Sequence, residues 1–151
     1  MKLGEICNRD VVFIGPEESA LEAARLMRQR HVGDVIVAER RGDDRFPVGI
    51  ITDRDLTIEI LAKQVDPESV TARDISSAQS LVTIGSDEDL FAGLDRMRAR
   101  GVRRLPVIDA IGALVGIITM DDILELLAEQ IGDLVQLVSR SYQRESEQRS
   151  V

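Results

Sequence analysis

A stretch of nine residues occurs twice in this chain, and its repetition constrains the fold more than any other feature. Residues 48–56 and 115–123 each consist of an apolar run ending in Thr, two further residues, an Asp and a following apolar segment. The run of Val and Ile is typical of a buried strand, and the residues after it have helical spacing. Thr52 and Thr119 are therefore predicted at strand-to-helix junctions, where unpaired backbone N–H groups attract anions. Two such junctions predict two equivalent sites.

The flanking sequence is duplicated as well, at an offset of 70 residues. The matched pairs are Ile14 with Ile84, Met27 with Met97, Arg28 with Arg98, Arg30 with Arg100, Val32 with Val102 and Val37 with Val107. At the signature the offset falls to 67, which predicts a hairpin three residues longer in the first copy. A duplication of this length indicates a supersecondary unit that buries one face against its twin.

Each copy is predicted to form a β-α-β-β-α unit, so the fold class is α/β with a small mixed sheet in each unit. In the first copy we expect a strand at 11–14, a helix starting at Gly15-Pro16-Glu17-Glu18, a strand at 35–38, a strand ending at Thr52 and a helix from Asp53 to about residue 62.

The domains are predicted at 1–68 and 69–138, and residues 139–151 form a helix end or a disordered tail. The last helix keeps an apolar stripe to Val138, well past the length of its counterpart in the first copy. Gly132 interrupts this stripe, at a cost of about 1 kcal/mol relative to Ala.

Charge and composition exclude several classes of partner. The 151 residues carry a formal charge of −8, which argues against unspecific attraction to nucleic acid or to an anionic membrane. Aromatic residues make up only 3%, so stacking surfaces for single-stranded nucleic acid are not expected. Cys7 is the single cysteine, and no segment has the length of a membrane span or the apolar core of a signal peptide. We therefore expect a cytoplasmic protein.

The two signatures, residues 49–55 and 116–122, resemble those of a tandem cystathionine-β-synthase (CBS) domain pair, or Bateman module, of the stand-alone bacterial type. The resemblance covers residues 1–138 and is supported by residues 31–37 and 101–107. It implies two CBS units packed with pseudo-two-fold symmetry. It also implies a regulatory module that binds AMP, ADP, ATP or S-adenosylmethionine in the clefts between the units, without an appended catalytic, transporter or channel domain.

The resemblance gives roles to individual residues. Thr52 and Thr119 would contact phosphate or ribose, and Asp55 and Asp122 would accept hydrogen bonds from ribose hydroxyls. The alternative is a capping box, in which Thr and Asp satisfy the first N–H groups of a helix without any ligand. Taken alone, the motif favours capping; its duplication inside such a pair favours the ligand. The two roles can coexist.

Arg103 and Arg104 precede the predicted strand Leu105-Pro106-Val107 of the second copy. Gly33 and Asp34 occupy the equivalent positions in the first copy. Two arginines at a strand entrance are usually solvated surface. As ligand-binding residues they would instead clamp a di- or triphosphate through charge-assisted hydrogen bonds. Since the other copy has Gly33 and Asp34, phosphate-rich ligands would then favour one cleft.

No catalytic residue, no metal site and no required cofactor is predicted. The acidic residues at 53–55 and 121–122 are expected to compensate a helix dipole, and Mg²⁺ arriving with ATP stays an open alternative. His31 is the single histidine and is expected to end a helix, while Cys7 is expected to pack in the interior.

These features leave three hypotheses. The leading one is a sensor module for an adenosine-containing ligand; the second is a ligand-free dimerisation or scaffolding module for a separately encoded partner. The third, an enzyme acting on nucleotides, lacks an evident base or nucleophile, so the chain is not expected to be an enzyme. The apolar stripes after Thr52 and Thr119, longest at residues 123–138, also predict a homodimer.

Overall fold

The computed structural model describes residues 1–76 and 80–150, in two compact units, Met1–Ile118 and Thr119–Val151. The elements of the first half are α1 (Leu3–Ile6), β1 (Phe13–Ile14), α2 (Ala20–Arg30), β2 (Asp34–Arg41), β3 (Asp44–Thr52) and α3 (Asp53–Leu56), which continues as a π-helical turn (Thr57–Leu61). The remaining elements are α4 (Ala72–Ser76), β4 (Ile84–Gly85), α5 (Leu90–Arg100), β5 (Arg104–Ile108), β6 (Leu114–Thr119) and α6 (Met120–Arg149).

Two mixed sheets follow the duplicated sequence. In the first sheet, β1 pairs in parallel with β2, and β2 pairs antiparallel with β3. The second sheet has the order β4-β5-β6, with β4 parallel to β5. Ile14 lies opposite Val37 in the first sheet, and Ile84 lies opposite Val107 in the second. The residues matched at an offset of 70 thus occupy equivalent positions, which confirms two similar β-α-β-β-α units of α/β class.

The start of the first long helix was predicted wrongly. Helix α2 begins at Ala20, because the Ser19 hydroxyl caps it by accepting the N–H of Glu22 at 3.2 Å. The Glu18 carboxylate accepts the N–H of Gly15 at 3.0 Å, so the predicted first turn of the helix is a separate turn. The strand expected at 11–14 is likewise limited to Phe13–Ile14.

The end of α2 agrees with the sequence. His31 adopts the left-handed conformation, with φ of 54°, and caps the helix, as Gly101 does for α5 with φ of 64°. The prediction that His31 ends a helix is confirmed. A histidine at this position accepts the strain of positive φ that a glycine avoids.

The segment preceding each repeat packs against the opposite repeat. Near α1, the N–H of Leu3 donates to the carbonyl of Glu88, and Asn8 and Ile117 exchange two backbone hydrogen bonds of 2.9 Å each. Near α4, the N–H of Ala72 donates to the carbonyl of Glu18 at 2.7 Å. Both segments contribute fully buried residues to the opposite half, so the two repeats are interleaved along the chain.

Two apolar clusters hold this arrangement. The first fills the first repeat and contains Ile14, Ala20, Ala23, Met27, Val35, Val37, Ile51, Ile60, Ala72 and Ile75. The second joins the sheets of the two repeats, where Ile36 and Ala38 of β2 pack with Ile117 of β6. Burial of an Ile side chain is worth about 1.5–3 kcal/mol, so Ile36 and Ile117 stabilise the pairing of the repeats.

Helix α6 runs without a break from Met120 to Arg149 and passes through Gly132. At 1.5 Å per residue its length is about 45 Å. Its apolar stripe extends beyond Gly132, with exposed side chains at Leu134, Val135 and Val138. Residues 139–149 of the expected helix end or disordered tail are helical, and Val151 lies outside the described residues.

The glycine of each signature allows a close backbone approach, which yields a testable prediction. A Cβ at Gly49 would lie 2.5 Å from the Ser76 hydroxyl oxygen, whereas a Cβ at Gly132 would meet nothing within 4 Å. We expect Gly49→Ala to lower the free energy of unfolding by about 1–3 kcal/mol through overpacking. Gly132→Ala, the matched control, should raise it by about 0.5–1 kcal/mol because Ala is the better helix former. Denaturant unfolding measures both, and equal effects would contradict the close approach.

Candidate ligand-binding cleft

The first signature forms a complete capping box at the junction of β3 and α3. The Thr52 hydroxyl oxygen accepts the N–H of Asp55 at 3.1 Å, and the Asp55 carboxylate accepts the N–H of Thr52 at 2.8 Å. Both residues are half-buried. The sequence dictates this locally, because an extended residue with a short hydroxyl side chain is a preferred helix N-cap.

The second signature forms the same box at the start of α6. The Thr119 hydroxyl oxygen accepts the N–H of Asp122 at 3.1 Å, and the Asp122 carboxylate accepts the N–H of Thr119 at 2.9 Å. The Thr119 hydroxyl also donates to that carboxylate at 2.7 Å. The capping alternative is therefore realised at both junctions. Since capping uses only part of the lone pairs of each carboxylate, it is compatible with ligand contacts.

A cleft of about 420 Å³ brings predicted residues of the two repeats together. Thr52 and Asp55 lie on its wall with Arg103 and Arg104, although these two pairs are far apart in sequence. The volume is within the range of small-molecule sites. Further lining residues are Ile50, Asp53, Arg54, Ser76, Ser80, Leu81, Val82, Gly101, Val102 and Pro106.

The apolar part of this wall is not predicted from the sequence. Ile50, Leu81, Val82, Val102 and Pro106 supply a surface against which a flat, weakly polar ring can pack. A signal was present, because Leu81 and Val82 stand 70 residues after the first copy's Val11 and Val12. Their place in the cleft depends on the packing of one repeat against the other, which the pattern of one segment does not reveal.

Arg104 forms an ion pair with Asp34 across the two repeats. The guanidinium Nη1 of Arg104 lies 2.6 Å from the Asp34 carboxylate, and the side chains are only 29% and 22% exposed. The two residues occupy equivalent positions, 70 residues apart, so the pair joins symmetry-related points. The solvated-surface interpretation of Arg104 is therefore wrong, whereas Arg103 is exposed. The Asp34 carboxylate would therefore compete with a ligand phosphate for hydrogen bonds from Arg104.

Gly33 and Asp34 are not among the residues that line this cleft. The carbonyl of Gly33 accepts the N–H of Asp53 at 3.0 Å, so Gly33 lies beside the first residue of α3. Thr119 and Asp122 belong to the second compact unit, whereas Gly33 and Asp34 belong to the first. The second cleft that would combine these four residues stays a prediction.

Cys7 has a structural role. Cys7 is buried, and this burial raises the pKa of its thiol above the usual value, which keeps it protonated and agrees with the expected packing role.

Within residues 1–76 and 80–150, no three His, Cys, Asp or Glu side chains are placed to hold a metal ion. The same part of the chain contains no helix that is long and apolar enough to cross a membrane.

The capping box predicts a measurable loss of stability. Thr52→Ala removes the acceptor for the Asp55 N–H and should lower the free energy of unfolding by about 1 kcal/mol. Thr52→Ser keeps the hydroxyl and is the matched control, with a smaller effect expected. Thermal unfolding of the three proteins compares them, and an unchanged melting temperature in Thr52→Ala would show that the cap contributes no stability.

Comparison with known proteins gives close relatives. The chain is 34% identical over 134 residues to hypoxic response protein 1 of Mycobacterium tuberculosis. This match covers 89% of this chain and 89% of that protein. It is 39% identical over 126 residues to an uncharacterized protein of Methanopyrus kandleri. That match covers 83% of this chain but 62% of the relative, so the chain spans less than two thirds of that relative's length.

Solved structures share the fold. The crystal structure of hypoxic response protein I, with two coordinated zinc ions, has a TM-score of 0.71 at 30% identity and covers 83% of this chain and 98% of its own. A CBS domain protein from Pyrobaculum aerophilum complexed with AMP has a TM-score of 0.72 at 22% identity, covering 85% and 99%. A CBS domain pair in complex with 5′-methylthioadenosine and S-adenosyl-L-methionine has a TM-score of 0.71 at 23% identity. The match covers 86% of this chain and 98% of that chain.

Two segments of the chain match the same protein family. Residues 3–62 and 70–129 each match the CBS domain, and together these segments make up most of the chain. The two mixed sheets and the two capping boxes fall within these segments, one of each per match. The chain therefore belongs to the CBS domain family and contains a tandem CBS pair.

Proposed function

We propose that this protein is a regulatory module that binds an adenosine-containing ligand in the cleft lined by Thr52, Asp55, Arg103 and Arg104. The observation that carries the proposal is the meeting of an acceptor carboxylate, two arginines and an apolar wall in one cleft. A nucleoside phosphate has a matching sequence of groups: a flat base, hydroxyl donors and an anion. The candidates are AMP, ADP, ATP and S-adenosylmethionine, and Mg²⁺ would enter only with ATP.

Each part of the ligand has a proposed partner. The base packs on the apolar wall that includes Val82 and Pro106, and the ribose hydroxyls donate to the Asp55 carboxylate. The phosphate is held by Arg103 and Arg104 through charge-assisted hydrogen bonds, with the Thr52 hydroxyl as a further donor. The AMP bound to the Pyrobaculum protein and the 5′-methylthioadenosine and S-adenosyl-L-methionine bound to another CBS pair support this class of ligand.

A second site is proposed at the second signature, with Thr119 and Asp122 in the roles of Thr52 and Asp55. In the first copy Gly33 and Asp34 stand where the second copy has Arg103 and Arg104, so a ligand bound beside them would meet a carboxylate and no arginine. A negative side chain disfavours a phosphate there by charge repulsion. Phosphate-rich ligands are therefore expected to choose the first cleft.

The proposed signal is a change between arrangements of a homodimer, possible only if the ligand binds one arrangement better than the other. The regulated partner is proposed to be a separately encoded protein in the cytoplasm. The second candidate function is a ligand-free dimerisation or scaffolding module. It is favoured by the two capping boxes, which satisfy Thr and Asp without a ligand.

Thermal-shift measurements separate these two functions. A ligand at a hundred times its dissociation constant adds about 2.7 kcal/mol to the native state, which raises the melting temperature by several degrees. We expect such a shift with at least one of AMP, ADP, ATP and S-adenosylmethionine. Asp55→Ala should abolish the part of the shift that belongs to the first cleft, since the ribose loses its acceptor.

Asp74→Ala is a matched control for this experiment. Asp74 and Thr71 form the same reciprocal hydrogen bonds at α4, each 3.2 Å long, but neither residue lines the cleft. Both Ala variants should lose about 1 kcal/mol of stability through the lost cap. Only Asp55→Ala should lose the nucleotide shift. If the parent responds to none of these ligands, the scaffolding function replaces the sensor.

The Asp34–Arg104 pair predicts a change in ligand preference. Asp34→Asn removes the carboxylate that competes with a phosphate for Arg104, and should strengthen AMP binding by up to about tenfold, equivalent to about 1.4 kcal/mol. Binding of adenosine, which lacks the phosphate, should be unchanged and serves as the control ligand. Calorimetry on parent and variant measures both. Equal effects on AMP and adenosine would show that the ion pair does not act on the phosphate.

A further inference from the structure

We propose that the C-terminal part of α6 is an interaction surface for the same helix of a second copy, packed antiparallel. The second CBS match ends at residue 129, whereas α6 continues to Arg149. These twenty additional helical residues, 130–149, lie outside the CBS domain. The proposal uses the homodimer of the proposed function but does not require nucleotide binding.

The apolar residues of α6 follow a coiled-coil spacing. Leu124, Leu127, Ile131, Leu134 and Val138 are separated by alternating steps of three and four residues. This is the a/d pattern of a heptad repeat, which forms a seam for a partner helix. The five side chains are 40–61% exposed in the chain.

Further apolar residues widen the seam. Val135, Leu137 and Tyr142 flank it and are 60–71% exposed. A contiguous apolar surface of this extent is uncommon on a monomer and marks an interaction site. Gly132 lies on the outer side of this heptad pattern, in position b, and therefore does not break the seam.

The distribution of charge selects the occupant and its direction. Residues 120–133 carry five acidic and no basic side chains, a charge of −5. Residues 134–149 carry three arginines and two glutamates, a charge of +1. In a parallel pair the two acidic halves would lie side by side and repel each other. In an antiparallel pair each acidic half lies beside the arginine-containing half of the other copy. The two helix dipoles then point in opposite directions and attract each other.

A second copy is the occupant that fits this surface without further assumptions. A two-fold contact requires a surface that is complementary to itself. The exposed stripe from Leu124 to Tyr142 is centred near Leu134, so a two-fold axis there places Leu134 opposite its own copy and Ile131 opposite Leu137. It also places residue 127 of one copy near residue 141 of the other. The two copies of residue 127 are then about 21 Å apart along the helix, as the rise of 1.5 Å per residue requires.

Disulfide cross-linking tests the direction of the helices. The background variant is Cys7→Ser in the chain of residues 1–151, which removes the natural thiol and introduces a side chain of similar size. Leu127→Cys and Ser141→Cys are made singly, and one of the two proteins carries an affinity tag so that all products separate on a gel. The variants are mixed, equilibrated and oxidised. We expect the mixed dimer to exceed each same-variant dimer by at least about tenfold, since only the antiparallel pair brings 127 near 141.

Two controls accompany the mixture. Leu134→Cys lies at the proposed axis and should cross-link to itself, which shows that oxidation is efficient. Gln136→Cys lies on the outer face and should not. Circular dichroism melts verify that each variant is folded before oxidation.

Every outcome decides the proposal. Same-variant dimers of Leu127→Cys and of Ser141→Cys would establish a parallel pair and overturn it. A dimer in sedimentation without any α6 cross-link would place the interface elsewhere, and a monomer at micromolar concentration would overturn the homodimer as well. The nucleotide-dependent thermal shift is measured separately on the parent protein, so failure of ligand binding and failure of the helix pairing are distinguishable.

Discussion

The arrangement of the two repeats depends on the close contact made at the signature glycines. At Gly49 the backbone of β3 lies against Ser76, and at Gly116 the backbone of β6 lies against Cys7 and Asn8, where a Cβ would come within 2.6 Å of the Asn8 carbonyl oxygen. Because no side chain separates these segments, α4 and the residues after α1 reach the opposite repeat and form backbone hydrogen bonds there. The same glycine begins the short run that ends at the capping Thr, so the close packing and the helix start are linked in one motif.

The signature Thr and Asp stabilise a helix start, and in the proposed function they also contact the ligand. Capping fixes the rotamers of both side chains, which keeps the Asp55 carboxylate at the cleft wall with lone pairs to spare. A ligand bound as proposed would find an ordered acceptor and would not have to order one, which lowers the entropic cost of binding. The Asp34–Arg104 ion pair has a different effect, because it orients the arginine but also neutralises part of its attraction for a phosphate.

The structure adds two features to the sequence that are not visible in any single segment. The ion pair joins residues that looked like independent differences between the copies, and its existence follows from the pseudo-symmetric contact of the strand entrances. The apolar cleft wall combines the end of β3 with residues 81–82 and Pro106, which no local pattern connects. The helix start at Ala20 was missed for a local reason: Ser19 is the better N-cap, and the acidic residues of the preceding turn resemble a first helical turn.

The sequence by itself determined the elements that depend on local physics. The duplicated pattern set two β-α-β-β-α units, the Thr-x-x-Asp spacing set both caps, and the spacing of Leu and Ile set the long helix α6. Only the tertiary structure decided what lies opposite what: which repeat receives α1 and α4, which arginine is paired, and which side chains share the cleft. Local periodicity fixes the direction in which a side chain points along its own element. Its partner is fixed by the burial of apolar surface and the pairing of charges between distant segments, which depend on the whole chain.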